Sequence, residues 1–320
     1  MKQPVFGKWI EGSRPGDAIC EVARQALRCR LATVQHFLPL AAERPVEDVE
    51  YVHQLRVSTR RSMAALKLFR HLLPRKRARW LREQLRCIRR AAGAARDCDV
   101  MRTRYDLDEA TQLSRIRQRL EAARREAQQP IVTVQRRLAG PPRLEKRIEE
   151  LLERLRTHPR DMPGRGPVRL DAWARFHLRP LVDKFFRAAP GTNRDLPALH
   201  QFRIRGKQLR YAMELLAGAF PPEFRGELYP QVERLQDHLG QINDYATGIG
   251  CLQQWLAGAE ELAEVRPLTS LLQQELDGLD AAIVQFAQWW TPTFAAELES
   301  RFEQLLSDSP IRVFPESPAS

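Results

Sequence analysis

Val52-His53-Gln54-Leu55-Arg56-Val57 returns 147 residues later as Leu199-His200-Gln201-Phe202-Arg203-Ile204. The offset then holds without a gap through Pro74/Pro221, Leu81/Leu228, Gln84/Gln231, Gly93/Gly240 and Asp97/Asp244. It also reaches back to Arg28/Arg175 and Leu31/Leu178. Ten of the 50 positions from 52 to 101 are identical, which chance likeness between amphipathic helices would not sustain across two proline-marked breaks. The chain is therefore expected to hold two copies of one unit, packed about a pseudo-two-fold axis.

That unit is helical. Apolar residues recur with a period near 3.6, and no clean alternation is long enough for a sheet. Proline and glycine divide the chain into expected helices near 17–38, 47–72, 75–94, 108–139, 143–157, 168–189, 196–217, 222–239, 246–257, 267–290 and 293–306. His158 to Pro167, with three prolines and two glycines, reads as a linker. The fold class is all-α. Met1–Asp17 has no long apolar run, so no signal peptide is expected. No run of about 18 apolar residues suggests a membrane span. Five widely spaced cysteines without a C-x-x-C fit a reducing cytoplasm better than a disulfide framework.

The first repeated helix carries the chemistry. On a wheel at about 100° per residue with His53 at zero, Arg56 falls at about 300°, Arg60 at about 340° and Lys67 at about 320°. In the second copy, with His200 at zero, Arg203 falls at about 300°, Lys207 at about 340° and Arg210 at about 280°. Leu55, Leu66 and Phe69 occupy the opposite face of the first helix, as do Phe202, Leu209, Met213 and Leu216 in the second. Val57 and Leu68, or Ile204 and Leu215, flank the other edge. Charges set between apolar faces need a counter-charge or a wet cavity. Salt bridges from Arg56 to Asp97 and from Arg203 to Asp244 can neutralise part of the set. One repeated acid cannot balance a whole strip, so an anionic ligand is expected for the rest. The two histidines read either as core residues bonded to a carbonyl or as part of the ligand site.

The net charge of +12 points the same way. Between Arg75 and Arg90 stand eight basic residues and one acid, Glu83. Arg75, Arg79, Arg82, Arg86 and Arg89 share a face, with Leu81, Leu85, Ile88 and Ala92 forming the apolar stripe. The window 52–101 has a net charge of +11, whereas 199–248 is neutral. This helix is either a solvated face or an anion-binding surface. No Walker loop, dinucleotide fingerprint, H-E-x-x-H or G-x-S-x-G is present, and Asp97 with Asp99 makes a weak metal site. No cofactor, metal or catalytic residue is expected. Aromatics are not interleaved with the basic strip, which disfavours single-stranded nucleic acid. Trp289-Trp290 reads as packing at a helix end.

Four segments resemble the CHAD family, the conserved histidine α-helical domain. They are His53-Gln54-Leu55-Arg56-Val57-Ser58-Thr59-Arg60-Arg61, Gly93-Ala94-Ala95-Arg96-Asp97-Cys98-Asp99-Val100, His200-Gln201-Phe202-Arg203-Ile204-Arg205-Gly206-Lys207 and Leu239-Gly240-Gln241-Ile242-Asn243-Asp244. The similarity runs over residues 16–306. It implies two pseudo-symmetric helical bundles around a basic central cavity, with copies at about 16–157 and 163–306. Residues 1–15 are then an N-terminal extension and 307–320 a loose tail. It also implies non-catalytic binding of inorganic polyphosphate and association with polyphosphate granules in the cytoplasm. The residues expected to bind it are His53, Arg56, Arg60, Lys67, Arg86, Arg89, His200, Arg203, Lys207 and Arg210. The family tends to place Arg at the position of Met63 and a basic residue at Gln208, which leaves the first strip a cation short. Relatives that add a triphosphate-tunnel domain carry E-x-E-x-K. This chain lacks that signature, so a stand-alone module is expected. The alternative reading is a nucleic-acid-binding protein using the 75–90 helix, without a recognisable helix-turn-helix.

Overall fold

The computed structural model describes residues 7–105, 113–141, 143–156, 168–191, 195–259 and 262–307. The expected linker at 158–167, the tail from 308 onward and the start of the helix expected at 108 lie outside the described residues.

The architecture is all-α, and the described residues contain no strand, only an isolated antiparallel bridge between Ala18 and Arg169. The helices are α1 (Ile19–Glu43), α2 (Glu50–Leu68), α3 (Arg75–Ala91), α4 (Gly93–Arg104), α5 (Ser114–Glu126), α6 (Gln128–Ala139), α7 (Leu144–Arg156), α8 (Leu170–Phe186), α9 (Leu196–Leu216), α10 (Tyr229–Ala257), α11 (Leu262–Trp289) and α12 (Pro292–Ser307). Shifted by 147 residues, α2 covers 197–215, against 196–216 for α9. α1 packs along α2, α8 along α9 and α10 along α11, while α2 against α9 joins the two parts of the chain.

Local chemistry sets the boundaries. The Asp195 carboxylate accepts the Ala198 amide at 2.7 Å and caps α9, with Pro197 in its first turn. A short 3₁₀ turn at Arg70–Leu72 and then Pro74 separate α2 from α3. After Pro221 comes a π-helical turn at Phe224–Leu228 that leads into α10. The Gln128 side-chain amide donates to the carbonyls of Ala41 and Ala42, both at 2.9 Å. This ties the start of α6 to the end of α1 and divides the helix expected over 108–139. The break expected between 239 and 246 is absent: α10 runs through Gly240. A mid-helix glycine costs only ~1 kcal/mol, which packing along α11 offsets. α4, which follows α3 after a one-residue break at Ala92, runs ten residues beyond the end of the helix expected over 75–94.

The apolar faces are buried as read. Leu55, Leu66 and Phe69 are fully buried, as are Phe202, Leu209, Met213 and Leu216. Phe202 stacks on Phe185 at 4.9 Å and meets Trp290 edge-on at 5.1 Å. Ile10 is also buried in this core, so residues before 16 contribute to it.

Two seams join the early and late parts of the chain. At the first, the start of α1 and the start of α8 exchange backbone hydrogen bonds. The Ile19 amide donates to the Val168 carbonyl and the Leu170 amide to the Asp17 carbonyl, each at 2.9 Å. The Asp171 amide donates to the Pro15 carbonyl at 3.0 Å. Each helix thus satisfies orphan donors of the other. At the second seam Glu214 of α9, 1% exposed, receives Arg61 of α2 in a bidentate pair at 3.0 and 3.2 Å. Arg30 of α1 stands 3.6 Å from the same carboxylate and Arg210 3.9 Å from it. The Tyr229 hydroxyl donates to it at 3.1 Å.

Candidate anion-binding site

A groove of about 530 Å³ runs between α2, α8 and α9. Arg60 and Lys67 of α2 line it, followed by Arg70 and His71 of the 3₁₀ turn and Arg89 of α3. α8 contributes Lys184, and α9 contributes Arg205 and Lys207. Seven lysines and arginines thus converge, and no carboxylate is among the described residues that line the groove. The α8 wall opposite is partly apolar, with Phe176, Pro180 and Leu181 beside His177.

The groove's positive charges are not balanced within it. Burial pushes the Lys207 pKa down from 10.5 to about 7, reinforced by Arg203, Arg60 and Arg210 and opposed by Asp244. Burial likewise lowers Arg203, where Asp244 supports the charge and Arg60 opposes it. Arg60 on α2 and Lys207 on α9, which stand 147 residues apart, therefore repel each other across the groove. The Nε atoms of Arg60 and Arg203 are buried without a hydrogen-bond partner among the described residues. An anion between them would relieve both the repulsion and the lost solvation.

The CHAD domain family model matches residues 25–253. This chain belongs to the CHAD family. Its fold is similar to that in the crystal structure of the CHAD domain from the plant Ricinus communis. That pair has 21% identity, a TM-score of 0.63, and coverage of 95% of this chain and 98% of the other. It is also similar to PptA from Streptomyces chartreusis, at 18% identity and a TM-score of 0.56, covering 86% and 99%. At these identities the likeness concerns the fold. No curated protein sequence is significantly similar to this chain.

Within this CHAD domain the groove collects some of the residues expected from sequence and leaves others aside. Arg60, Lys67, Arg89 and Lys207 line it. Met63 and Gln208, where the family tends to be basic, line it too. Arg56 does not. Its Nη1 donates to the Arg89 carbonyl at 3.2 Å and so caps the C-terminal end of α3. A Cβ on Gly93 would lie 3.3 Å from that guanidinium, so the glycine keeps the space open. Burial lowers the Arg56 pKa and the nearby Asp97 counters it. No direct ion pair joins Arg56 to Asp97 or Arg203 to Asp244 among the described residues.

Arg203 and Arg210 lie just past the groove's edge. The lining of α9 is centred on Ile204, Gln208 and Tyr211, roughly 90° round the helix from the centre of the cationic strip. Arg210 points instead to Glu214 at 3.9 Å and Glu233 at 3.7 Å. Burial disfavours its charge, but Glu214 and the neighbouring tyrosines outweigh that and raise its pKa. Arg86 is exposed on α3, outside the lining.

Neither of the two repeated histidines, His53 and His200, lines the groove. His53 Nε2 lies 3.9 Å from Glu50, and burial with Arg96 lowers its pKa. His200 Nδ1 lies 3.3 Å from the Asn243 side-chain oxygen, in a separate hollow with Leu239, Ile242 and Ala246.

Arg70, His71, Lys184 and Arg205 were not singled out in the sequence. On the helical wheel Arg205 falls on the far side of α9 from the strip, and Lys184 sits on a helix outside the repeated motif. The aromatic expectation is corrected as well. Phe176, His177 and Tyr211 stand in the same groove as the cations, because tertiary packing sets α8 against the strip. Trp290 is buried packing, and Trp289 stacks on His238 at 4.9 Å.

All five cysteines are free thiols. No helix among the described residues is long and apolar enough to cross a membrane. No cluster of three or more His, Cys, Asp or Glu that could hold a metal occurs among them.

Proposed function

We propose that this CHAD protein binds inorganic polyphosphate in the α2–α8–α9 groove without catalysing its turnover, and that it accompanies polyphosphate granules in the cytoplasm. The observation that carries the reading is the convergence of seven lysines and arginines with no carboxylate among them. Polyphosphate bears charge on every unit and no base to be read. A trough of Arg and Lys is sufficient to hold it, and counterion release supplies much of the affinity. Titrations over a range of salt are expected to give a log–log slope of several units. A nearly flat dependence refutes the reading.

The second reading is nucleic acid on the exposed arginine face of α3, where Arg75, Arg79, Arg86, Arg89 and Arg90 are open to solvent. Competition separates the two. Polyphosphate is expected to displace a labelled oligonucleotide, while the oligonucleotide displaces polyphosphate poorly. The reverse order favours nucleic acid.

Lys207 gives the groove a pH signature. A polyanion favours the charged ammonium, so binding takes up a proton. Affinity is expected to be highest below pH 7 and to fall as pH rises from about 7 toward the liganded pKa. The fall is about tenfold between pH 6 and 9, and Lys207→Arg, which keeps its charge, abolishes it. Calorimetry in buffers of differing ionisation enthalpy measures the proton uptake directly. In the free protein the unfolded chain holds this proton more tightly than the fold does. The burial penalty is therefore fully present below pH 7 and relieved as pH rises toward 10.5. Lys207→Met is expected to raise the melting temperature, most at the acid end.

A further inference from the structure

We infer that the groove takes nucleoside polyphosphates, with the planar base seated on the α8 wall beside Phe176 and the phosphates among the cations. The inference rests on the anion-site reading above and specifies a ligand class for it. Inorganic polyphosphate is charged throughout and has no use for an apolar wall. Here Phe176 is 76% exposed, on the same groove surface as Lys184 and Lys207. An exposed aromatic ring beside a carboxylate-free set of cations is complementary to a ligand that joins an anionic chain to a flat ring.

The α8 wall is graded along its length. Phe176 and His177 lie near its middle, and Lys184 stands in its last turn, eight residues beyond Phe176 and about 12 Å along the helix. The neighbouring His177 is held rigid. Its ring stacks on Trp173 at 3.7 Å, and its Nδ1 is bonded to the Trp173 carbonyl at 2.9 Å. It offers a fixed second surface next to Phe176. The volume of about 530 Å³ is that of a small-ligand site, within the usual range of about 300–1,000 Å³. Base–aromatic stacking is indifferent to base identity, so purine and pyrimidine nucleotides should both bind.

The test compares ATP with inorganic tripolyphosphate on the whole protein, in EDTA, by calorimetry. Tripolyphosphate carries the higher charge, so a purely electrostatic groove binds it more tightly. The inference expects the opposite: ATP binds about tenfold more tightly, and Phe176→Ala brings ATP down to the level of tripolyphosphate. Phe176 is exposed, so its removal leaves the core intact, and a melt of the variant checks this. ATP binding no more tightly than tripolyphosphate, or an ATP preference that survives Phe176→Ala, overturns the inference while the polyphosphate reading stands. Failure of long-chain polyphosphate, tripolyphosphate and ATP alike overturns both.

Discussion

Replacing Arg60 and Lys207 together by alanine is expected to weaken polyphosphate binding about a hundredfold, whereas Arg75→Ala with Arg79→Ala changes it by about threefold or less. Both doubles remove two positive charges, so a delocalised field would be blunted equally. Their settings differ. Arg60 and Lys207 both line the groove, where Lys207 is desolvated by burial and Arg60 Nε is buried without a hydrogen-bond partner among the described residues. Charge-assisted hydrogen bonds there are worth about 1.5–3 kcal/mol each. Arg79 is exposed and already paired with Glu83 at 2.9 Å, and Arg75 is open to water. Salt screens both. Loss of Lys207 relieves repulsion, so weaker binding cannot be ascribed to unfolding, and a melt verifies that. Equal losses in two folded doubles would move the ligand to the α3 face and favour nucleic acid.

Glu214→Ala is expected to cost stability rather than binding, by about 3–5 kcal/mol, read from urea unfolding. The carboxylate is buried and answers Arg61, Arg30 and Arg210 at once. Its removal leaves three guanidinium groups facing one another with their shared anion gone. Glu214→Gln keeps hydrogen-bond acceptance without the charge and should cost less. Glu83→Ala removes an exposed partner of Arg79 and should cost under about 1 kcal/mol. A loss in Glu214→Ala no larger than in Glu83→Ala would show that the network does not hold α2 to α9.

Much of the fold was legible because helix faces are a local property. Leu55, Leu66 and Phe69 could be set opposite Arg60 by angle alone, and their burial follows from that angle. Pro74 and Pro221 marked real interruptions because a ring at those positions cannot continue the helix. The groove was legible only in part. A wheel treats one helix in isolation, while this site is bounded by three. Only Arg60 and Lys67 of the α2 strip reach the groove, and of the α9 strip only Lys207 does, so His53, Arg56, Arg203 and Arg210 share the pattern and not the position. For Arg210 a signal was present: Glu214 stands four residues further along the same helix, the spacing of an ion pair. Phe176 and Lys184 gave none, since nothing local says which face of α8 meets α2. The +11 window overstated α3, because most of its arginines point to water and Arg89 alone of the expected α3 pair lines the groove.

The stitched starts of α1 and α8 have a consequence for how the protein is made. The Ile19 amide waits for the Val168 carbonyl, and Arg61 waits for Glu214. On a ribosome adding about 5–20 residues per second, roughly 150 residues of synthesis separate these partners, a delay on the order of 10–30 s. During that interval α1 and α2 can pack on each other, but the partners of Ile19 and Arg61 are still untranslated. The two seams are therefore expected to close only after α8 and α9 have emerged, which leaves Arg61 without its carboxylate until then.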